Sequence, residues 1–587
     1  MQAVSEVRIL PNTLNLVVFM NKIPIVDLFA GPGGLNEGFA RYVSNQASPR
    51  SFSSVLSVEK DSRAHLTLQL RAMRREILDR SLDPAPYWHY VRLADYDSQS
   101  NRGLLRNETK LARIALQEHA AQGYLEAPRP LELGKDNEII DHYLEERLDP
   151  QSPWVLLGGP PCQAYSGMGR SRMKNVDPEA FAKDHRHTLY QEYLRVVARW
   201  RPAVFVMENV KGVLSSEHGK DESTDGAIVD QIMEDLKRPT TALSRIDPAA
   251  AKHCGNDEYD LYSFVCPPGL VGNRAPEMTI HAEKFGIPQA RHRVIILGVR
   301  RSHQSHSWNW RPIGANGFDV FGEVGSGQAI NDLPSLRGGL TKTQSIPAWP
   351  GAARLPDWKR AVEGFLRPLL NADASNDALQ DRKLATAIRK NLAELRKFQP
   401  EDATQYRSYW RTRLTDWQRN PSIQDWYRFQ ECYEHGPLLE PLNHYCKSHQ
   451  SSDLARYFFV ASASRLYEGK KFRLRDFPDS LLPNFGKLKK GKDSFTDCFT
   501  AVQPAKPSLT VMSHISKDGH YYIHPDPKQV RSLSVREAAR LQTFPDDYFF
   551  EGPQTEQYHQ VGNAVPPMLA TQLADVVFEI ISTLFQR

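Results

Sequence analysis

The sequence contains few cysteines and no long apolar run, and both shortages narrow the class of protein. Six cysteines are scattered over 587 residues without a C-x-x-C pair, so neither a disulfide framework nor a zinc ribbon is expected. No segment reaches about 18 uninterrupted apolar residues, and no charged stretch near Met1 leads into an apolar one. The sequence therefore predicts a soluble cytoplasmic protein with reduced thiols and no membrane contact.

Charge of one sign is also in short supply, because 74 basic residues face 69 acidic ones and the formal net charge is +5. This balance permits nucleic-acid binding without requiring it. The loose His and Cys groups around Cys254 and Cys446 have spacings that match no common metal site, so no metal is expected. With 40% apolar residues, the chain is long enough for two or more domains around a large core.

Short apolar runs alternate with helical patterns through the first half of the chain. The runs cover residues 23–29, 54–61, 153–159, 202–210 and 293–299. Helical spacing is clear at 64–78 and 188–200. Continuous apolar strands that alternate with helices predict a doubly wound, mostly parallel, Rossmann-like α/β sheet buried on both faces.

Polar or glycine-rich clusters stand at the end of four of these strands. They are residues 27–34, Glu59, residues 158–166, and the pair Glu208 and Asn209. Ligands of such sheets bind beyond the carboxyl ends of the strands. If the strands are parallel, the four clusters converge on one rim, which predicts a ligand site there.

The first cluster departs from the dinucleotide pattern G-x-G-x-x-G, since Asn36 stands at its third position. Gly31, Gly33 and Gly34 still let a ligand approach the backbone, and Glu59 is placed to bind ribose hydroxyls. Adenosine without a diphosphate fits this pattern best. An ordinary tight turn between strand and helix remains the alternative.

A thiol stands at the rim in the sequence GGPPCQAYS. Pro160 and Pro161 remove two backbone donors ahead of Cys162, so the chain turns outward there. An exposed thiol beside a ligand cleft is a candidate nucleophile, whereas most cysteines are buried and structural. The position favours the nucleophile.

Five segments in this order, DLFAGPGGL, GGPPCQAYS, MENV, FGIPQARHRV and QVGNAVPP, resemble the signature motifs of the cytosine-5 DNA methyltransferase family. The N-P-P-aromatic tetrapeptide of amino-methylating enzymes is absent from the second segment. The resemblance implies that Cys162 adds to C6 of a flipped cytosine, that Glu208 binds its N3 and amine, and that Arg291 and Arg293 orient the base.

The resemblance also assigns ligand contacts. For S-adenosylmethionine they are Phe29, Ala30, Gly31, Gly33, Gly34, Leu35, Glu59, Pro160, Asn563 and Val565, with Asp95 as the acid at the adenine amine. For DNA they are Gln163, Ser166, Asn209 and Gln289, where Asn209 braces the Pro-Cys loop. Lys487, Lys489 and Lys490 are expected on phosphates, although a solvated basic run is the simpler alternative.

The resemblance divides the chain into three parts. Residues 1–300 form the cofactor-binding catalytic domain, with an insertion at about 80–150; residues 301–495 form an inserted target-recognition domain; and residues 496–587 return to the catalytic domain. The tryptophans and phenylalanines of the middle part are expected in its core. Polar residues 215–226 are expected in a loop near the rim, and a last helix at about 568–585 is expected to pack on the N-terminal sheet.

These observations predict an S-adenosylmethionine-dependent DNA cytosine-5 methyltransferase that acts on duplex DNA as a monomer, in a bacterial restriction-modification or phage-defence system with a cognate defence protein as partner. Two alternatives stay open. The substrate is RNA, as in a tRNA-modifying branch of the superfamily, or the chain binds DNA without catalysis. The presence of Cys162, Glu208, Arg291 and Arg293 disfavours the second alternative.

Overall fold

The computed structural model describes most of the chain. The described residues are 22–44, 51–100, 105–120, 127, 129–161, 185–210, 227–266, 278–301, 312–313, 322–340, 355–370, 381–399, 423–427, 441–468, 470, 472–482 and 499–585. Outside them lie Cys162, Gln163, Ser166, Lys487, Lys489 and Lys490, together with residues 215–226.

The strands and helices are named here in chain order. The strands are β1 (Ile23–Leu28), β2 (Phe52–Val58), β3 (Val155–Gly158), β4 (Val204–Val210), β5 (Tyr259–Ser263), β6 (Thr279–His281), β7 (Gln289–Ala290), β8 (His292–Arg300), β9 (Gly339–Leu340), β10 (Ser448–His449) and β11 (Ser508–Leu509). The helices are α1 (Gly34–Arg41), α2 (Ser62–Asp79), α3 (Ala85–Ser100), α4 (Arg106–Ala120), α5 (Asn137–Arg147), α6 (His185–Trp200), α7 (Ala227–Lys237), α8 (Pro239–Ile246), α9 (Pro248–Ala251), α10 (Ser326–Ile330), α11 (Leu355–Leu370), α12 (Arg382–Lys397), α13 (Ile423–Tyr427), α14 (Ser451–Leu466), α15 (Val535–Leu541), α16 (Gln554–Asn563) and α17 (Pro567–Phe585).

A seven-stranded sheet in the order β2-β1-β3-β4-β8-β5, with β6 also paired to β8, carries the site. Strands β1 to β4 are parallel, so their carboxyl ends meet at one edge. Strand β8 runs antiparallel to β4, β5 and β6. The predicted doubly wound, mostly parallel sheet is confirmed, and each of the five predicted strands lies within three residues of its expected bounds.

Burial on both faces explains why these segments form strands. Every residue of β3 is buried, as expected for a central strand with helices on either side. Helix α2 begins where the Asp61 carboxylate accepts the backbone N–H groups of Arg63 and Ala64, which satisfies two donors that the helix itself leaves unpaired. Local capping and long-range burial therefore agree on this first βαβ unit.

The C-terminal helix α17 packs on α1 and brings the end of the chain to the N-terminal sheet. Thr571 Oγ1 donates to the Gly38 carbonyl at 3.0 Å, and the Phe578 ring meets Phe52 of β2 with centroids 6.2 Å apart. Among the described residues one helical stretch, Gln554–Leu584, is long and apolar enough to cross a membrane, and 83% of its most apolar window is buried within the protein.

A second apolar cluster surrounds α14 and includes residues of α11 and α12. Phe458 and Phe459 are fully buried in it, as is Tyr457, so the prediction that phenylalanines of the middle block lie in a core is confirmed for Phe458 and Phe459. The middle block also contributes, through α10 and α13, to the apolar core that lies between the large sheet and α17. Most of the aromatic stretch 404–430 lies outside the described residues.

Close packing at Gly38 gives a testable expectation. A Cβ at Gly38 would lie 2.3 Å from Ala570 Cβ and 2.4 Å from the Pro567 carbonyl oxygen. Gly38→Ala is therefore expected to lower the free energy of unfolding by about 1–3 kcal/mol, because the two helices must separate. Urea denaturation monitored by circular dichroism measures this loss.

Gly364 of α11 is the matched control, since no atom of the described residues lies within 4 Å of a Cβ placed there. Gly364→Ala is expected to raise the free energy of unfolding by up to about 1 kcal/mol through helix propensity alone. Equal effects of the two substitutions would contradict the packing of α1 on α17.

Candidate active site

A cavity of about 410 Å³ opens at the carboxyl edge of the four parallel strands. Its walls come from the turn that follows each strand, from the segment at residues 131–133, and from α16. The lining residues include Phe29, Gly31, Pro32, Glu59, Leu131, Glu132, Leu133, Pro160, Pro161, Glu208, Asn209, Glu556, His559, Gln560 and Asn563. The four polar clusters predicted to converge do contribute to one cavity.

The turn after β1 wraps around the end of Glu59. Gly31 takes a left-handed φ of 55°, as does Phe29 with 56°, and the Gly31 N–H donates to Glu59 Oε2 at 2.8 Å. The N–H of Asp61 donates to the other oxygen, Oε1, also at 2.8 Å. Burial raises the pKa of Glu59, while these two backbone donors favour its charged form.

Gly33 and Gly34 make room for protein atoms. A Cβ at Gly34 would lie 2.1 Å from the Val565 carbonyl oxygen, and one at Gly33 would lie 2.7 Å from Leu68 Cδ2. Both glycines are buried. The expected direct ligand contacts of this turn therefore need correction: Gly31 and Phe29 line the cavity, whereas Ala30, Gly33, Gly34, Leu35 and Val565 do not.

Glu208 and Arg293 form an ion pair across β4 and β8. Arg293 Nε lies 2.8 Å from Glu208 Oε1, and each side chain is about one-seventh exposed, at 15% and 14%. Arg293 stands opposite Val210 in the antiparallel register. The pair therefore joins the two strand ends at the rim and holds the carboxylate toward the cavity.

Pro160 and Pro161, which precede Cys162, line the same cavity as Glu208 and Asn209. The Asn209 side-chain amide donates to the Pro160 carbonyl at 3.5 Å, which is the bracing contact that the sequence predicts. A Cβ at Gly159 would lie 3.1 Å from Glu208 Oε2, so only glycine leaves that carboxylate its full room. Cys162, Gln163 and Ser166 follow outside the described residues.

Gln289 and Arg291 are buried behind the rim and correct the expected substrate contacts. Gln289 is fully buried; its amide donates to the Leu541 carbonyl at 3.1 Å and accepts the Val511 N–H at 2.7 Å. Arg291 Nη1 donates to the Val511 carbonyl at 3.0 Å. Burial, with help from the Arg293 charge, lowers the pKa of Arg291 to about 9. Both side chains hold the segment around Val511 against the sheet.

Asp95 also requires correction. It lies in α3 away from the cavity lining, where its carboxylate accepts the Asn443 N–H at 2.8 Å and the Gln99 amide at 2.9 Å. A buried acid that anchors a backbone amide in this way holds the insertion to the C-terminal half. It is not available for a ligand.

Glu132 lines the cavity together with Glu59, Asp61, Glu208 and Glu556, and it is an acid of the insertion that the sequence did not single out. The backbone N–H of Leu131 donates to the Glu59 carbonyl at 3.0 Å, and this bond places Glu132 beside the end of β2. The available signal was an acid between Leu131 and Leu133, both of which are buried. The long insertion hid its proximity to Glu59.

Helix α16 contributes Glu556, His559 and Gln560, which sequence reasoning also missed. Together with Asn563 these residues have the spacing i, i+3, i+4 and i+7, so they lie on one face of the helix, and this face forms part of the cavity wall. Gln560 is tied in place, since its amide accepts from Thr67 at 2.7 Å and donates to the Glu551 carbonyl at 2.8 Å.

Comparison of the sequence with known proteins finds one family and several relatives. The family model described as C-5 cytosine-specific DNA methylase matches residues 115–238 and 277–579. The Type II methyltransferase M.Bpa9945I of Bacillus paralicheniformis is 26% identical over 570 residues, which cover 95% of this chain and 99% of that protein. Type II methyltransferase M.AgeI of Thalassovita gelatinovora is 26% identical over 73% of this chain and 83% of its own length. DNA (cytosine-5-)-methyltransferase M.ApeKI of Aeropyrum pernix is 25% identical over 73% and 81%.

Proposed function

This chain belongs to the family of C-5 cytosine-specific DNA methylases, and on that premise we propose that it methylates C5 of a cytosine in double-stranded DNA with S-adenosylmethionine as donor. The observation that carries the proposal is the Glu208–Arg293 ion pair at 2.8 Å, set in one cavity with Glu59 and the two prolines before Cys162. The names of the type II relatives support a role in a bacterial restriction-modification system, which acts in the cytoplasm.

The cavity suits an adenosine sulfonium. Glu59 offers a half-buried carboxylate for ribose hydroxyls, and the apolar walls at Phe29, Leu131 and Leu133 suit a flat purine. Glu132 stands next to these walls as an acceptor for an exocyclic amine. Bound S-adenosylmethionine supplies an activated methyl group at this edge of the sheet. A long phosphate chain is not expected, because Gly33 and Gly34 face protein atoms.

The chain's own residues prepare the cytosine. The base must leave the duplex stack, at a cost on the order of a few kcal/mol that protein contacts offset. The Cys162 thiolate then forms a bond to C6, which makes C5 electron-rich. Glu208 accepts a hydrogen bond from the amine and delivers a proton to N3, which neutralises the negative charge that develops there as sulfur adds. Arg293 holds the Glu208 carboxylate in position through Nε, its Nη1 donates to the His292 carbonyl at 2.8 Å, and its Nη2 is proposed to turn toward the base O2. Once C5 carries the methyl group, a base takes the C5 proton, and the electron pair left behind restores the C5–C6 double bond as the C6–S bond breaks.

DNA contacts beyond the base are assigned to the middle of the chain. The apolar cluster around α14 supports a target-recognition region within residues 301–495, and through Phe499, Ala501, Ile523 and Val530 it is continuous with residues 496–587, which complete the catalytic domain. Lys487, Lys489 and Lys490 are proposed to contact phosphates, because a basic run beside glycines adds affinity for any sequence. We place one protein molecule on each DNA site, with a cognate nuclease as the functional partner.

The proposed activity is tested by transfer of a labelled methyl group to duplex DNA and, in parallel, to tRNA. Label in DNA alone is expected, and bisulfite sequencing of that DNA then gives the modified base and its context. Label in tRNA alone would overturn the assignment. Absence of a covalent complex with DNA that contains 5-fluorocytosine would instead point to a binding protein without catalysis.

The raised pKa of Glu59 predicts a pH effect on cofactor binding. A ribose needs the charged carboxylate as acceptor, and burial makes Glu59 take up a proton at a higher pH than an ordinary carboxyl group. The affinity for S-adenosylhomocysteine is therefore expected to fall as the pH drops from neutral into the mildly acidic range. Calorimetric titration across that range measures it.

Glu59→Gln is the control for this pH effect. It removes the titrating group, so its affinity is expected to be lower at neutral pH and nearly constant with pH. A wild-type affinity that stays flat over the same range, or a Glu59→Gln variant with the wild-type profile, would contradict the ribose assignment.

A further inference from the structure

Two histidines and a glutamate come together where β6 pairs with β8, next to the site. His281 ends β6 and lies directly opposite His292 of β8 in the antiparallel register, and their rings are 4.0 Å apart. Glu283 follows in the short 3-10 turn Ala282–Phe285. The cluster is built by strand pairing, which is why the sequence alone gave no metal signal.

The distances within the cluster suit a cation. Glu283 Oε1 lies 2.8 Å from His292 Nε2 and 3.6 Å from His281 Nδ1, and the three ligand atoms lie within 4.8 Å of one another. Tetrahedral zinc with bonds of about 2.0–2.2 Å needs ligand atoms roughly 3.4 Å apart. The observed spacing brackets that value, so the side chains need to move little.

The surroundings of Glu283 are also those of a ligand. Its second oxygen, Oε2, is buried and has no hydrogen-bond partner among the described residues, and a buried carboxylate oxygen without a partner is costly. The three side chains are one-fifth to about one-third exposed, at 21% for Glu283, 34% for His292 and 36% for His281. An ion can therefore reach the cluster from solvent, and water can complete its coordination.

The turn that presents these ligands is fixed before any ion arrives. The Ala282 N–H donates to the Arg291 carbonyl at 3.1 Å, and Gly286 closes the turn with a left-handed φ of 77°. The nearby positive charge of Arg293 is paired with Glu208, so it opposes a cation less than a free guanidinium would.

We propose that His281, Glu283 and His292 form a binding site for one divalent transition-metal ion of the zinc class. Two imidazole nitrogens and one carboxylate oxygen are an established donor set for Zn²⁺, with the fourth position left to water. The ion joins β6 to β8 beside Arg293 and stiffens the strand that carries this residue. The site is separate from the proposed methyl transfer, which needs no metal.

The test is a Co²⁺ titration of the full-length protein after removal of metals with a chelator, followed by competition with Zn²⁺. Wild-type protein is expected to bind one more equivalent than His281→Asn or Glu283→Gln, with the visible absorption of tetrahedral Co²⁺. Each variant is expected to lose at least about tenfold in affinity at this site, since even residues outside the ligand shell cost that much. Zn²⁺ is expected to raise the Tm of the wild type and not that of the variants.

His119→Gln is the matched control, because His119 lies on α4 and contacts only the Asp83 carbonyl among the described residues, at 2.9 Å. It is expected to bind metal as the wild type does. A measurement on the wild type alone avoids variants that fail to fold. Zn²⁺ is expected to protect His281 and His292 from modification by diethyl pyrocarbonate and to leave His119 reactive. Equal modification with and without Zn²⁺, or equal stoichiometry in all variants, would mean that the cluster is an ion pair only. None of these readouts measures methyl transfer, so either proposal can fail alone.

Discussion

Replacing Cys162 by serine is expected to abolish methyl transfer and to leave DNA binding nearly unchanged. A serine hydroxyl has almost the same size but is far less ionised at neutral pH, so it does not add to C6 of the base. Loss of a nucleophile typically costs at least about a thousandfold in turnover. Single-turnover transfer of labelled methyl groups measures the first effect, and an electrophoretic mobility shift measures the second.

Cys254→Ser provides the comparison for this variant. Cys254 is half-buried beyond α9, where its thiol donates to the Ala250 carbonyl at 3.4 Å, and it lies outside the cavity lining. The wild type and Cys254→Ser are both expected to form a covalent complex with DNA that contains 5-fluorocytosine, whereas Cys162→Ser is not. Substantial turnover by Cys162→Ser would contradict the covalent mechanism. Loss of the covalent complex in Cys254→Ser would show that Cys162 is not the only thiol the reaction needs.

The sequence is sufficient to predict the four parallel strands, because their apolar runs are continuous and each ends in a polar or glycine cluster. The antiparallel direction of β8 is not encoded in the same way. Its apolar run looks like the others, and its direction depends on how the chain returns through β5, β6 and the turn at Gly286. Strand identity is thus local information, whereas strand direction is set by the connections.

The site shows the same division. Glu59, Glu208 and Asn209 were predictable because a polar residue at the end of a buried strand has few structural uses. Gln289 and Arg291 stand in an equally polar motif, yet they turn inward to bind backbone groups near Val511. Sequence does not separate a polar residue that faces a cavity from one that satisfies buried carbonyls.

The insertion produced the remaining error. About a hundred residues separate Glu59 from Cys162, so the spacing does not show which acid of that stretch lies near the adenine amine. The sequence favours Asp95 for this role, whereas Glu132 is the acid of the insertion that lines the cavity. A backbone hydrogen bond from the Leu131 N–H to the Glu59 carbonyl brings Glu132 to the site. Pairing of this kind, between segments without regular strand pattern, leaves little trace in the sequence.

The ion pair at the rim predicts a second large loss of activity. Glu208→Gln keeps the shape of the side chain but removes the carboxyl group that delivers a proton to N3 as sulfur adds, so turnover is expected to fall about a hundredfold or more. Arg293→Ala is expected to cost a similar factor, because the carboxylate is held at 2.8 Å by that guanidinium. Rapid-quench measurement of methyl transfer gives both values.

The double variant distinguishes a shared role from two separate roles. If Arg293 acts by holding Glu208, the two losses are not additive, and the double variant is expected to be about as active as the weaker single variant. Arg301→Ala is the control, since Arg301 follows β8 directly and bonds to Asp260 at the exposed surface, where an ion pair contributes little. It is expected to keep wild-type turnover, and S-adenosylhomocysteine is expected to bind all four variants alike. Strict additivity would show that Glu208 and Arg293 act separately. A cofactor affinity that falls with turnover would show that the pair supports the fold of the cavity and not the chemistry at the base.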